Sequence, residues 1–449
     1  MSFPRYPSYK DSGVAWLGEV PEHWKVLPIK SIVAVPITDG PHETPQFIDE
    51  GIPFVSAEAV SSGRIDFSKV RACISAEDNA RYSLKYAPKL HDIYMVKSGA
   101  TTGITAIVED RTDFNIWSPL AVIRCGQEAV PYFVLNFMRS RNFLEAVTLN
   151  WTFGTQQNIG MGVIENLFCT LPPIAEQTQI ATFLDRETAK IDALVAEQQR
   201  LMELLKEKRQ AVISHAVTKG LNPNAPMKPS GIEWLGDVPA HWNISKVKRV
   251  ASIRYGIGEP PKYHDEGMPL IRATNVHAGK LFEAGLVFVD PSEIPAQRIV
   301  WLAPGDIIVV RSGAYTGDSA IIPSGYGPCI AGFDMVLRCH SANPAFIQFA
   351  LLSTYLKEGQ IDLEKMRAAQ PHLNAEELGS CVLALPTSKE QVEIIAFLEV
   401  ASAKFDTLIT QAEHTIELLK ERRTALISAA VTGQIDVRHL SGKKPHEHR

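Results

Sequence analysis

The chain has 449 residues, 45% of them hydrophobic and 21% charged, with a formal net charge of −5. That length suggests two to four domains of ordinary globular composition, and the acidic balance argues against gripping nucleic acid by bulk positive charge, though not against local basic loops. No apolar run reaches the roughly 18 residues of a membrane span, and the N-terminal MSFPRYPSYK lacks the apolar stretch of a signal peptide, so a cytoplasmic protein with no membrane association is expected.

In chain order, the first conspicuous element is SGVAWLGEVPEHW at 12–24, which returns as SGIEWLGDVPAHW at 230–242 with nine of thirteen letters kept. Two matched Trp pairs, Trp16/Trp234 and Trp24/Trp242, in a chain with only seven Trp are no accident of composition. Further matches keep the same order. GIPFVSAEAV (51–60) meets GMPLIRATNV (267–276), and HDIYMVKSGATTG (91–103) meets GDIIVVRSGAYTG (305–317). LPPIAEQTQIATFLD (171–185) meets LPTSKEQVEIIAFLE (385–399), and LLKEKRQAVISHAVT (204–218) meets LLKERRTALISAAVT (418–432). The chain is therefore one unit of about 215 residues written twice, too long a period for a solenoid. The opening phrase reads as a buried turn that marks the start of each unit.

Within each unit, short apolar runs bounded by Gly and Pro, such as DIIVV (306–310) and MVLRC (335–339), predict strands. PYFVLNFMRSRNFLEAV (131–147) and PAFIQFALLSTYLKEG (344–359) predict helices, with Pro131 and Pro344 in the first turn, where a missing N–H costs little. From Glu176 to Thr218 there is neither Pro nor Gly. Alternating steps of four and three lead through Ile180, Leu184, Ile191, Leu194, Leu201 and Leu205, and in the second unit through Ile394, Leu398, Phe405, Leu408, Leu419 and Leu426. This is the seam of a coiled coil. Lys208 and Arg422 fall on the same step of the two seams, where a charge would set register or partner choice. The expected organisation is a first globular domain at 1–175, a long helix at 176–218, a second domain at 219–388, a second long helix at 389–432 and a tail at 433–449. The fold class is α+β: two similar mixed α/β domains joined by two long helices that form an antiparallel coiled coil, a tandem duplication with a pseudo-two-fold axis.

Catalytic patterns are missing. There is no phosphate-binding G-x-x-x-x-G-K-[ST], no G-x-G-x-x-G after a strand and no G-x-S-x-G elbow. The six Cys form no C-x-x-C pair and the 13 His no H-x-x-x-H, so neither a metal site nor a disulfide framework is expected. Two similar readers joined by a rod suit a two-part target, and spacing along duplex DNA is a length that a rod can measure.

The Trp-Leu-Gly-x-Val-Pro-x-His-Trp phrase, the Asp-Ile-x-x-x-x-Ser-Gly-x-x-x-Gly run and the Leu-Pro…Glu-Gln…Ile…Phe-Leu helix start together resemble the specificity subunit of type I restriction–modification systems, across essentially the whole chain. The resemblance implies a non-catalytic, sequence-specific subunit that binds double-stranded DNA. Each globular part would be a target recognition domain for one half of a bipartite sequence. It implies two modification (methyltransferase) subunits as partners, bringing S-adenosylmethionine, with restriction (motor and nuclease) subunits as further partners and no cofactor on this chain. A stand-alone DNA-binding regulator, a coiled-coil scaffold and a duplicated enzyme are the competing readings.

Three matched stretches carry the candidate DNA contacts. Lys97, Ser98, Gly99, Thr101 and Thr102 align with Arg311, Ser312, Gly313, Tyr315 and Thr316, placing a base, small hydroxyls and backbone N–H groups after a strand. That chemistry suits phosphate oxygens; a tight turn needing Gly is the alternative. TDGPHETP (38–45), with Thr38, His42 and Thr44, faces the divergent RYGIGEPP (254–261), with Arg254 and Tyr255, as expected if the halves read different bases; an ordinary variable loop is the alternative. FGTQQNIG (153–160) faces RAAQPHLN (367–374) and aligns Gln156 with Gln370. Gln can pair bidentately with adenine, but Pro371 replaces Gln157, so a shared backbone or capping role competes.

Overall fold

A computed structural model describes residues 3–60, 63–153, 157–365 and 371–440. The chain divides into two compact units, residues 1–198 with 414–449 and residues 199–413. In the first unit an antiparallel four-stranded sheet runs in the order Thr38–Asp39, Leu120–Ile123, Ile93–Val96, Thr105–Ile107. The second unit repeats it as Ala251–Tyr255, Met335–Cys339, Ile307–Val309, Ser319–Ile321. A second, mixed sheet is built around Ile52–Val55 in one unit and Met268–Ile271 in the other, and each unit is closed by a two-stranded pairing, Lys25–Pro28 with Phe168–Leu171 and Asn243–Lys246 with Val382–Leu385. Trp24, Phe133, Phe137 and Phe143 fill the first core and Trp242, Phe346 and Leu351 the second.

The expected helix over 131–147 is two helices, Pro131–Met138 and Arg141–Asn150. Ser140 stops the first and caps the second, its Oγ accepting the Phe143 N–H at 3.2 Å. Ser353 occupies the matching break after Pro344–Leu352. These breaks anchor the long helices: Arg141 N–H donates to Ser428 Oγ (2.8 Å), and Thr354 N–H to Ser214 Oγ (2.9 Å).

The opening phrase closes each unit on the start of a long helix. His23 Nε2 lies 2.8 Å and the Trp24 indole N–H 3.1 Å from Glu176, while the Tyr6 hydroxyl donates to the same carboxylate at 2.6 Å. His241 and Trp242 hold Glu390 in the same way, at 2.7 and 3.3 Å. The neighbouring Gln177 and Gln391 each accept a backbone N–H, from Val130 and Asn343. The phrase is thus a structural clamp, which explains why it is written twice. Replacing Glu176 by Ala strands the buried Tyr6 hydroxyl and Trp24 indole N–H. At about 1–3 kcal/mol per orphaned donor, the variant should lose about 2–6 kcal/mol, read by thermal or urea unfolding; a loss below about 0.5 kcal/mol, the scale of an ordinary surface substitution, would contradict the clamp.

The long helices are Ile174–Lys219 and Ser388–Val431, 46 and 44 residues, or roughly 65–70 Å each at ~1.5 Å per residue. They pair antiparallel inside each unit. In the first, Ile180, Phe183 and Leu184 share a core with Ile427, Ala430 and Val431, and further along Asp192 meets Arg423 at 2.9 Å. In the second, Ile213, Ala216 and Val217 share a core with Ile394, Ile395 and Leu398, and Arg209 meets Asp406 at 3.2 Å.

Past Ile191 and its match Phe405, the seam departs from the expected one at every other step. Leu194, Leu201 and Leu408 are 45%, 42% and 37% exposed. Ile180, Leu184, Ile191, Ile394 and Leu398 are buried, and Leu205, Phe405, Leu419 and Leu426 half-buried. After Ile191 the covered stripe runs through Val195, Gln198, Met202, Leu205, Arg209 and Val212; after Phe405 it runs through Ile409, Ala412, Ile416, Leu419 and Arg423. Two successive four-residue steps meet at Ile191 and again at its match, Phe405. Such a stutter locally unwinds a coiled coil. It moves Lys208 and Arg422 to the exposed face and brings their neighbours Arg209 and Arg423 into the seam, where Asp406 and Asp192 neutralise them.

Candidate nucleic-acid interface

The two Gly-rich loops have one construction. In the first unit Gly103 N–H bonds Val96 O (2.8 Å), and the Thr102 hydroxyl donates to Gly99 O (2.7 Å). In the second, Gly317 N–H bonds Val310 O (2.8 Å), and the Thr316 hydroxyl donates to Gly313 O (2.7 Å). Gly99, Gly103, Gly313 and Gly317 all have φ between 87° and 98°, where a side chain is strained. The turn reading thus accounts for these glycines, and the proton of Thr102 is committed within its loop, that of Thr316 to its loop and to Pro371 O (3.3 Å). Ser98, Thr101 and Ser312 are half-buried beside them, and Tyr315 is exposed.

The third matched stretch docks on the first. Ser98 bridges to Asn158, Gly99 N–H donates to Gln157 O (3.0 Å) and Ile159 N–H to Lys97 O (2.8 Å). Likewise Ser312 bridges to His372, and Leu373 N–H donates to Arg311 O (2.8 Å). Gln157 therefore serves the loop through its backbone. Gln156 and Gln370 lie outside the described residues.

The second stretch supplies the surroundings of the two cations, and here the units diverge. Lys97, with a side chain only 13% exposed, lies 3.1 Å from the fully buried Asp39. Lys85 sits 2.5 Å and His42 3.0 Å from the same carboxylate. Burial pushes the Asp39 carboxyl up, but the bonds and charges of Lys85 and Lys97 outweigh it and hold the group below the usual carboxylate range. Lys97 is thus half of an internal ion pair. Thr38 is half-buried beside Asp39, and Thr44 is exposed.

Arg311 has no carboxylate within ion-pair distance of its guanidinium among the described residues. The guanidinium carbon lies 4.5 Å from the Tyr255 ring centroid and 4.2 Å from that of Phe333, a cation held between two aromatic faces. His372 Nε2 is 3.5 Å away. The Tyr255 hydroxyl accepts Ala375 N–H (2.8 Å), which fixes its ring, and Asp334 accepts the Arg311 backbone N–H (3.2 Å). Burial pushes the Asp334 carboxyl up to about 6. Tyr255, Phe333 and Tyr315 are each more than 40% exposed, and Arg254 is exposed on the strand that carries Tyr255. Asp39, Lys85, Phe333 and His372 were not singled out from sequence. Asp39 adjoins Thr38 in a chosen stretch, whereas nothing in the local sequence marks Lys85 or Phe333.

Among the described residues no three His, Cys, Asp or Glu side chains are placed to hold a metal ion, and no helix is long and apolar enough to cross a membrane.

Each unit is a mixed α/β domain that presents the same loop, and each long helix contributes residues to both units. The chain belongs to the family described as the type I restriction modification DNA specificity domain, which matches residues 21–203 and 242–418. The EcoKI specificity subunit of Escherichia coli K12 is 22% identical over 434 residues, covering 93% of this chain and 90% of that protein. The putative MjaX specificity subunit of Methanocaldococcus jannaschii is 24% identical over 435 residues, covering 94% and 96%. Among solved structures, a chain from work on complex assembly and conformational transition of the type I R-M system has a TM-score of 0.68 at 17% identity, covering 92% of this chain and 98% of that one. The HsdS subunit of Thermoanaerobacter tengcongensis has a TM-score of 0.50 at 18% identity, with the same coverage.

Proposed function

We propose that this chain is the DNA-reading specificity subunit of a type I restriction–modification complex, each unit contacting one half of a split target and the long helices setting the separation. The observation that carries this reading is the same loop, bearing Lys97 in one unit and Arg311 in the other, braced by the same third segment but set in different chemistry. A common scaffold with divergent side chains is what two readers of different half-sites require. The chain itself does no chemistry. It acts in the cytoplasm with two modification subunits, which bring S-adenosylmethionine, and restriction subunits join the same assembly. The outward Leu194, Leu201, Leu204, Leu408 and Leu418 offer apolar contacts to such partners.

Domain exchange tests this directly. Replacing residues 25–170 by those of a family member with a known target should change one half-site of the methylated sequence and leave the other intact. If both halves changed, the two-reader account would be wrong.

A further inference from the structure

The second unit holds a polar triad with no counterpart in the first. His277 Nδ1 lies 2.6 Å from the buried carboxylate of Asp318, which Lys357 also contacts through its other oxygen. The repeat matches these three positions with Ser61, Ile104 and Leu144, none of them ionisable. Three positions, 41 and 39 residues apart in the chain, have changed together. Fold support alone does not need this, since the first unit builds the same sheet and loop without it.

The triad also faces the loop that carries Arg311. His277 precedes a two-residue hairpin turn, Ala278–Gly279, between Val276–His277 and Lys280–Leu281. Its ring meets Tyr315 edge-on at 5.3 Å, and its side chain is 57% exposed. Burial pushes the Asp318 carboxyl up, but the bonds and charges of Lys357 and His277 outweigh it and keep the group below the usual carboxylate range. The carboxylate therefore holds Nδ1–H and leaves Nε2 pointing away from its anchor, with no partner among the described residues. Among the described residues, Lys357 and Tyr315 contact the pair, and the neighbouring Lys280 is taken up by Asp406 at 2.7 Å.

We infer that His277 is a DNA-backbone contact of the second unit only, its Nε2–H donating to a phosphate oxygen when the ring is protonated. The inference rests on the DNA-reading function proposed above. With Nδ1–H given to Asp318, a neutral ring presents only a lone pair at Nε2, whereas a protonated ring presents a charged donor. Phosphate binding favours the protonated ring, so affinity rises as pH falls.

The test compares the assembled complex with wild-type chain and with His277→Gln on a duplex carrying its target, at pH 5.5 and 7.5 over a salt series. Wild type should gain about tenfold more affinity at pH 5.5 than the variant gains, the scale of one charge-assisted hydrogen bond. Its salt slope at pH 5.5 should be steeper by about 1. Every other histidine is common to both proteins, so it cancels in the comparison. Equal pH and salt responses overturn the contact while leaving the DNA-reading function standing. Absence of any specific binding by wild type overturns both.

Discussion

Duplicating Val195–Leu201 in the first long helix together with Ile409–Thr415 in the second should lengthen the gap of the recognised sequence and leave both half-sites unchanged. Each duplication adds seven residues in the phase of the covered stripe, so Met202 and Ile416 keep their places in the seam. Arg209–Asp406 and Arg423–Asp192 each lie within one unit and survive the insertion. Seven residues add about 10 Å of helix, up to roughly three base pairs at ~3.4 Å each. Extending only one helix should instead lower stability, because that helix would be about 10 Å longer than its partner and the pairings at its two ends could not both stay in register. Methylation of targets with systematically varied gaps gives the answer. A fixed gap with both helices extended would mean that the helices are not the ruler.

The second large effect is expected at Arg311. Its guanidinium has given up part of its hydration to the Tyr255 and Phe333 faces and has no carboxylate within ion-pair distance among the described residues, so it is a pre-oriented cation. Arg311→Ala should weaken binding by about 1–3 kcal/mol, roughly 5- to 200-fold. Arg311→Lys should recover only part of this, because an ammonium neither stacks nor offers a planar pair of donors. If Arg311 reads a base, discrimination at one position of one half-site relaxes; if it holds a phosphate, all sequences weaken alike and the salt slope falls by about 1. Lys97→Ala should behave differently, since it leaves the fully buried Asp39 with Lys85 as its cationic partner and the exposed His42 beside it. Its main effect should be lower stability of the first unit, seen in unfolding. Equal losses of DNA affinity in the two variants, without a stability difference, would contradict this asymmetry.

The duplication was legible because clamp residues were repeated at spacings that the fold reuses. His23, Trp24 and Glu176 are distant in sequence, yet their matches His241, Trp242 and Glu390 make the same contacts. The heptad phase was not legible. Past Ile191 both phases are apolar, with Leu194 beside Val195 and Leu201 beside Met202, and periodicity cannot choose between them. The choice falls to long-range partners: Arg209 and Arg423 find aspartates on the facing helix. The Ser140 break was hidden for a related reason, since one hydroxyl turned on its own backbone outweighs the helical pattern on either side.

At the candidate interface, sequence aligned Lys97 with Arg311 and treated them as equals. Their surroundings differ because Asp39 lies near one and Tyr255 near the other, and only the sheet pairing brings those residues alongside. The His277, Asp318 and Lys357 triad left a fainter signal: three departures from the repeat that only the structure joins into one feature.

The most direct measurement of the central claim is a genome-wide map of methylated bases in the host, with and without this gene. The account predicts loss of methylation at one split motif, two short half-sites around a fixed gap, and restoration when the gene is returned. An unchanged map, in cells where the modification subunits are present and active, would contradict it.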